Sequence, residues 1–347
     1  MVLIACAIRL ISGNKMWVEN NYSSGIYPAI SKLLKHSFGW IPFSIGDILY
    51  LAGFAWLLYK LITALVKLFK RKYSWKKFGV SVLNTIVLFV TVYVIFNAFW
   101  GLNYNRLGIA RQLGIQMNRY TKEELIEVDS ILIDKVNASK LSVINHNSSI
   151  KTTKEIFAGS INSYQNLSQQ YSFVNYKPSS VKSSMWGWLG NYIGFTGYYN
   201  PFTGEAQVNT TVPSFLQPFI TCHEIAHQLG YAKENEANFV GYLAASTSAD
   251  TAFHYSVYLD LFLYTQRNLY SVDSSTTKAF AKRLIPEVKT DLDEWRKFNR
   301  EHESVMEPVF DWLYGIYLKS NQQSSGILSY DEVTGFLIAY YKKFGRL

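Results

Sequence analysis

His223 and His227, with Glu224 beside the first of them, stand at a spacing that can do hydrolytic chemistry. On a helix, residues four apart lie one above the other on one face, so the two imidazoles can offer nitrogen to a single metal ion. Glu224 then sits next to that ion, placed to take a proton from a zinc-acidified water and return it to a leaving amine. The same pair would also suit a satisfied polar patch on an amphipathic helix. The flanks favour a ligand set. Pro218 suits a first helical turn, Gly230 suits a C-terminal cap, and Phe219, Ile220, Ile225, Ala226 and Leu229 supply an apolar face.

Two acids follow, Glu234 and Glu236, and spacing does not choose between them as the third ligand. A second helix opening near Lys233 would put Asn238 on the same face as Glu234, where it could orient a ligand by hydrogen bonding; this favours Glu234. The expected set is therefore His223, His227 and Glu234 around Zn2+, with Glu224 as the catalytic residue. Cys222 points to a different face from His223 and reads as a small buried apolar residue. Cys6 and Cys222 are too differently placed to form a disulfide framework.

These residues need elements to hold them. A helix over about 215–229 carries the histidines. Before it, residues 177–213 are rich in glycine, aromatics and turn signals, including Trp186-Gly187-Trp188 and Gly194 to Gly204, and read as a β-ribbon or small sheet. Such a strand could hold an extended peptide by β-addition; the aromatics would equally suit core or a membrane-facing collar. Helices are expected over about 121–139, opened by a Thr121/Glu124 capping box, and over 153–171. Further helices are expected over 253–270, 276–288, 291–300, a run through Tyr317, and 330–344. His254 and Tyr255 are candidate donors to a developing oxyanion. His36 and His146 read as exposed side chains.

The chain's apolar residues are concentrated near its start. Residues 45–69 could cross a bilayer, with Asp47 at their start and Lys60 and Lys67 towards their end, and residues 78–102 form a second such run without a charge. Residues 1–12 are apolar but short, and read as the short form of a further span. Residues 26–38 read as an interfacial helix. Lys70, Arg71, Lys72, Lys76 and Lys77 form a basic loop of the kind kept in the cytoplasm, flanked by Tyr73 and Trp75; residues after 103 would then be extracytoplasmic, with Trp100 and Tyr104 marking the outer interface. The net charge of +9 partly reflects this loop and fits anionic lipid headgroups; no nucleic-acid fold signature accompanies it. The spans lack the paired intramembrane charges of a transporter. The expected division is a membrane region over 1–104, in a cytoplasmic (inner) membrane, and an extracytoplasmic domain over 105–347.

The chain resembles an uncharacterised bacterial family of membrane-anchored proteins that carries a domain-of-unknown-function label. The resemblance rests on Trp100-Gly101-Leu102-Asn103-Tyr104-Asn105-Arg106, Gly197 to Glu205, His223 to Gly230, Glu234 to Phe239, Tyr317-Leu318-Lys319 and Ser329-Tyr330. It implies N-terminal membrane helices and a zincin-like extracytoplasmic domain, and supplies no substrate. The ligand set also resembles the glutamate zincins, in which an Asp follows the third ligand by four residues; here that position is Asn238. The metzincin pattern would place its third ligand on Lys233, which cannot serve. The expected fold class is mainly α: transmembrane helices, then a zincin-like α+β metallopeptidase domain with a small β-ribbon or sheet before the histidine helix. The expected function is a membrane-anchored zinc metallopeptidase acting on a peptide or protein substrate. The alternatives are a membrane-tethered binding or scaffold protein with a structural or vestigial zinc site, and a zinc hydrolase of a non-peptide envelope substrate.

Overall fold

The structure is a computed structural model that describes residues 1–70, 74–145, 152–321, 323, 325, 326 and 332–347. It opens with α1 (Val2–Ser12), whose 11 residues reach about 16 Å, roughly half a hydrocarbon thickness. A single turn, α2 (Lys15–Trp17), and a π-helical stretch (Val18–Ile26) lead into α3 (Tyr27–Phe38). Helix α3 occupies the range expected for an interfacial helix, but its inner face is committed to protein: Tyr27 and Ser31 donate to the Gln228 carbonyl, and Lys35 lies over the Tyr176 ring.

Helices α4 (Ile45–Phe69) and α5 (Trp75–Phe99) are capped by Ser44 and Ser74. Each is long and apolar enough to cross a membrane, and their apolar windows have no buried residue. A soluble core helix of this kind would be enclosed. Here Phe54, Leu61, Leu83 and Ile86 are exposed, which points to lipid as the missing partner and to membrane anchoring. Arg71, Lys72 and Tyr73 of the basic loop lie outside the described residues, as does the side chain of Trp75. Helix α5 stops three residues short of the expected end, because Trp100 leaves helical geometry (φ −158°) and a 3-10 turn (Gly101–Asn105) follows. Trp100 and Tyr104, expected as interface markers, are buried, at 4% and 2% exposure. Their polar atoms find protein partners instead of headgroups, Trp100 through its indole N–H and Tyr104 through its hydroxyl.

Beyond this turn come α6 (Ile109–Leu113), α7 (Lys122–Asn145) and α8 (Thr153–Gln170). The Thr121/Glu124 capping box is present, and a second one joins Thr152 to Glu155. The loop with His146 lies outside the described residues; His36 is exposed. Three short strands follow, β1 (Val181–Ser183), β2 (Gly197–Asn200) and β3 (Glu205–Val208), in the order β1-β3-β2, with β3 parallel to β1 and antiparallel to β2. Among the described residues β2 is paired on one side only. Helix α9 (Gly187–Ile193) interrupts the expected ribbon, its short run closed by Gly194 in the left-handed region.

The remaining helices are α10 (Gln217–Gln228), α11 (Glu234–Ala245), α12 (Thr251–Val272), α13 (Ser274–Arg283), α14 (Pro286–Glu301), α15 (Glu307–Ser320) and α16 (Val333–Phe344). The expected helix over 276–288 is two helices. Pro286 cannot donate its nitrogen and forces Ile285 extended (ψ 157°), so α13 ends and α14 begins there. The main core gathers Leu132, Ile133 and Val136 of α7, Leu259 and Leu261 of α12, and Ile225, Phe239 and Val240 around α10 and α11.

A second cluster joins Val18, Tyr22, Tyr27, Trp100, Leu102 and Tyr104 to Tyr199 and Ala232. The division expected at 104/105 is thus bridged by packing. It is also bridged by charge: buried Glu19 accepts from Arg106 (2.8 Å), Leu107 N and Gly108 N. Burial works to raise the Glu19 carboxyl, but the Arg106 guanidinium and those two N–H groups outweigh it and hold it below its usual value.

Candidate metal centre

Helix α10 was expected to be amphipathic, yet all twelve of its residues are buried. It is enclosed on every side, and the carbonyls at and just past its C-terminal end, where helical N–H partners run out, are met by side chains of residues 27–106. Trp100 donates its indole N–H to the His227 carbonyl (3.0 Å), Tyr27 to that of Gln228 (2.8 Å), and Arg106 to that of Gly230 (3.2 Å). Gly230 adopts φ +85°, and a Cβ there would lie 2.9 Å from the Tyr27 ring, so glycine is needed for both the turn and the contact. The side chain of Gln228 ties the helix to the sheet region by donating to the carbonyls of Ser180 and Gly204.

On this fixed helix the two imidazoles converge. His223 Nε2 and His227 Nε2 are 3.0 Å apart, and Glu234 Oε2, from the first turn of α11, is 3.3 Å from one and 3.4 Å from the other. His227 Nδ1–H donates to the Tyr231 carbonyl (2.8 Å), which fixes the tautomer and turns the Nε2 lone pair inwards. These three buried side chains, whose ligand atoms all lie within 4.8 Å of one another, could hold a metal ion. Ligand atoms about 2.0–2.1 Å from a tetrahedral zinc are separated by about 3.3 Å, so the observed triangle fits such an ion. The two imidazoles and the carboxylate also shift one another. Burial lowers the His227 imidazole, but the Glu234 carboxylate outweighs it and lifts it to about 9. Burial likewise works to raise Glu234, and the two imidazoles overcome it and hold its carboxyl well below the usual range.

Glu234 is itself oriented, with Tyr314 of α15 donating to Oε1 (2.7 Å) and Gln323 accepting from its backbone N–H (3.0 Å). Asn238 is buried too; burial lowers the His223 imidazole, and Glu234 and the Asn238 side chain work against that. Glu236 turns away: it pairs with Lys233 (3.5 Å) and packs on Gly108, where a Cβ would lie 2.2 Å from its oxygens. Replacing Tyr314 by Phe should weaken metal affinity by about 10- to 100-fold, read by competition with a chromogenic chelator. Unchanged affinity would remove Tyr314 from this role.

Glu224 lies on the other side of the imidazoles, against β2. A Cβ on Gly197 would meet Glu224 Oε1 at 2.6 Å, so only glycine lets the strand come this close. Burial raises the Glu224 carboxyl to about 8, with Glu234 adding to the rise and His227 opposing it. A divalent cation close by would pull the value back towards that of a base. His223, Glu224, His227 and Glu234 form one end of a cavity of about 470 Å³, whose other walls include Tyr50, Phe89, Tyr93, Phe96, Tyr198, Tyr199 and Tyr317.

The family whose description matches residues 22–338 is described as protein of unknown function (DUF3810). The chain belongs to this family. No curated protein and no solved structure matches it. Membership in DUF3810 assigns no role to any residue, so the other candidates are placed by geometry. His254 and Tyr255 are not among the cavity's lining residues. Tyr255 is buried and donates to Asp291, while His254 has its ring beside Tyr258. Cys222 is buried, and burial pushes its thiol up to about 12, consistent with a packing role. Both cysteines are free. Among the tyrosines that do line the cavity is Tyr317, whose hydroxyl accepts from Tyr104 (3.2 Å). Trp100, Tyr314 and Tyr317 escaped the reading of spacing, although Trp100 and Tyr317 both lie in the segments that carry the family resemblance.

Proposed function

We propose that the chain is a membrane-anchored, zinc-dependent metallopeptidase of zincin-like type, with its catalytic domain extracytoplasmic. The observation that carries this reading is the convergence of His223 Nε2, His227 Nε2 and Glu234 Oε2 within 3.4 Å of one another, at the end of a cavity that also holds the Glu224 carboxylate. When bound, zinc would supply Lewis acidity, polarising a carbonyl and acidifying water. Glu224 would serve as the base that holds the proton given up by an attacking water and passes it to the leaving amine. The outer strand β2 receives the substrate backbone in extended form, beside Glu224. Tyr317, whose hydroxyl already accepts from Tyr104, turns its own proton to the oxygen that gains charge.

The test is hydrolysis of a mixed peptide library by the full chain in detergent, followed by mass spectrometry. Cleavage that disappears with a zinc chelator and returns with zinc is the expected result. Cleavage indifferent to the chelator, or absent from zinc-loaded protein, would contradict the proposal.

A further inference from the structure

The cavity that ends at the histidines is walled in part by the two helices with membrane-spanning character, and in part by α15. Tyr50 comes from α4, Phe89, Val92, Tyr93 and Phe96 from α5, and Tyr314 and Tyr317 from α15. Phe89 lies ten residues before the end of α5, about 15 Å along the axis at 1.5 Å per residue. That distance is about half the hydrocarbon thickness of a bilayer, so the lining reaches from the metal centre well into the depth that a spanning α5 would occupy. A peptide arriving from water has no use for such a wall.

The wall is also open sideways. Every residue of α4 after Asp47, and every described side chain of α5 from Lys76 to Phe96, keeps at least partial exposure. Two helices sealed along each other would bury a stripe of side chains on each. These two leave a gap facing whatever surrounds them. Helix α15, which lends Tyr314 and Tyr317 to the lining, and α9, which packs against it, expose further apolar side chains: Trp188, Tyr192, Val309, Trp312 and Leu313. Exposed apolar side chains in such number are expected where a protein meets lipid or a lipid-borne partner.

We infer that the substrate reaches the centre laterally from the bilayer, as a polypeptide whose scissile bond adjoins an apolar, membrane-inserted segment that seats between α4, α5 and α15. This deepens the hydrolytic reading above and rests on it. The occupant is a polypeptide and not a lipid because the outer strand β2, with Gly197, Tyr198 and Tyr199 in the cavity lining, offers backbone groups that an extended peptide can match and an acyl chain cannot. The site sequence analysis would place in water, well past the last span, is thus reached along the spans themselves.

The test uses the full chain in phosphatidylcholine vesicles. Two sets of probe peptides share the same mixed polar sequences; one set also carries an apolar segment of about 20 residues that anchors it in the vesicle. Cleavage by the wild-type chain, read as kcat/KM, is expected to favour the anchored set by at least about tenfold, with cuts within a few residues of the apolar segment. In a second measurement, the Glu224→Gln chain carries a photoreactive p-benzoylphenylalanine in place of Val92. It should form adducts with the anchored peptides in clear excess over the polar ones. Adducts without any wild-type cleavage would uphold the lateral route and overturn the hydrolytic reading. Equal cleavage of both sets would overturn the route and keep the hydrolysis. Adducts with vesicle lipid alone would also overturn it, making the cavity a lipid site.

Discussion

Replacing Glu224 by Gln should lower kcat for peptide hydrolysis by about 10³-fold, the middle of the range for loss of a general base, while the metal stays bound. Gln keeps the shape of the side chain, so the close contact with Gly197 and the packing of β2 against α10 survive. What is lost is the ability to accept a proton. Because the Glu224 carboxylate is not one of the three converging donor groups, metal content should be unchanged. The check is kcat by peptide cleavage beside zinc content by mass spectrometry on the same sample. Full activity in the variant would end the hydrolytic reading; loss of metal together with activity would move Glu224 into the ligand set.

The second large effect is structural and lies on the sheet side of the site. Replacing Glu205 by Ala should destabilise the protein by roughly 3–5 kcal/mol, the usual cost of leaving one partner of a buried ion pair uncompensated. Glu205 is fully buried on β3 and accepts from Lys182, itself buried at 4% exposure. It also accepts from Thr203 Oγ1 (2.9 Å) and from the backbone N–H groups of Ile45 (3.2 Å) and Gly46 (2.7 Å), the first two residues of α4. One carboxylate therefore serves as ion-pair partner and as anion at the N-terminus of a candidate spanning helix, where the helix dipole favours negative charge. Losing it strands the Lys182 ammonium with only the carbonyls of Phe38 and Phe43. Thermal unfolding in detergent should show a midpoint lower by roughly 10 °C. The double variant with Lys182→Met should recover part of the loss, since it removes the stranded charge. No recovery would mean that the helix terminus, and not the ion pair, carries the effect.

What could be read in advance follows the range over which residues interact. His223, Glu224 and His227 span about one helical turn, as does the capping pair Thr121 and Glu124, so spacing and immediate flanks suffice to single them out. The two long apolar runs are legible for the same reason, since a bilayer-length helix is a local property of composition. Glu234 needed only the assumption that a second helix begins just past Gly230. Trp100, by contrast, stands 127 residues from the carbonyl it serves, and Tyr27 stands 201 from its own. A tryptophan at the end of an apolar run looks like an interface marker until the fold shows what its N–H meets. Tyr314 and Tyr317 lie on a helix whose approach to α11 no local pattern signals, which is why nearer residues, His254 and Tyr255, stood in for them. The wall formed by α4 and α5 was hidden in the same way. Their composition speaks of lipid, and only packing shows that one end of each faces the histidines.

Metal content of the purified full chain tests the central claim most directly. After zinc loading and removal of free ion, the wild-type chain should hold about one zinc per molecule, and His223→Ala, His227→Ala and Glu234→Ala should each hold almost none, while Glu236→Ala keeps it. Zinc absent from the wild-type chain, or retained undiminished when His223 or Glu234 is replaced, would contradict the account.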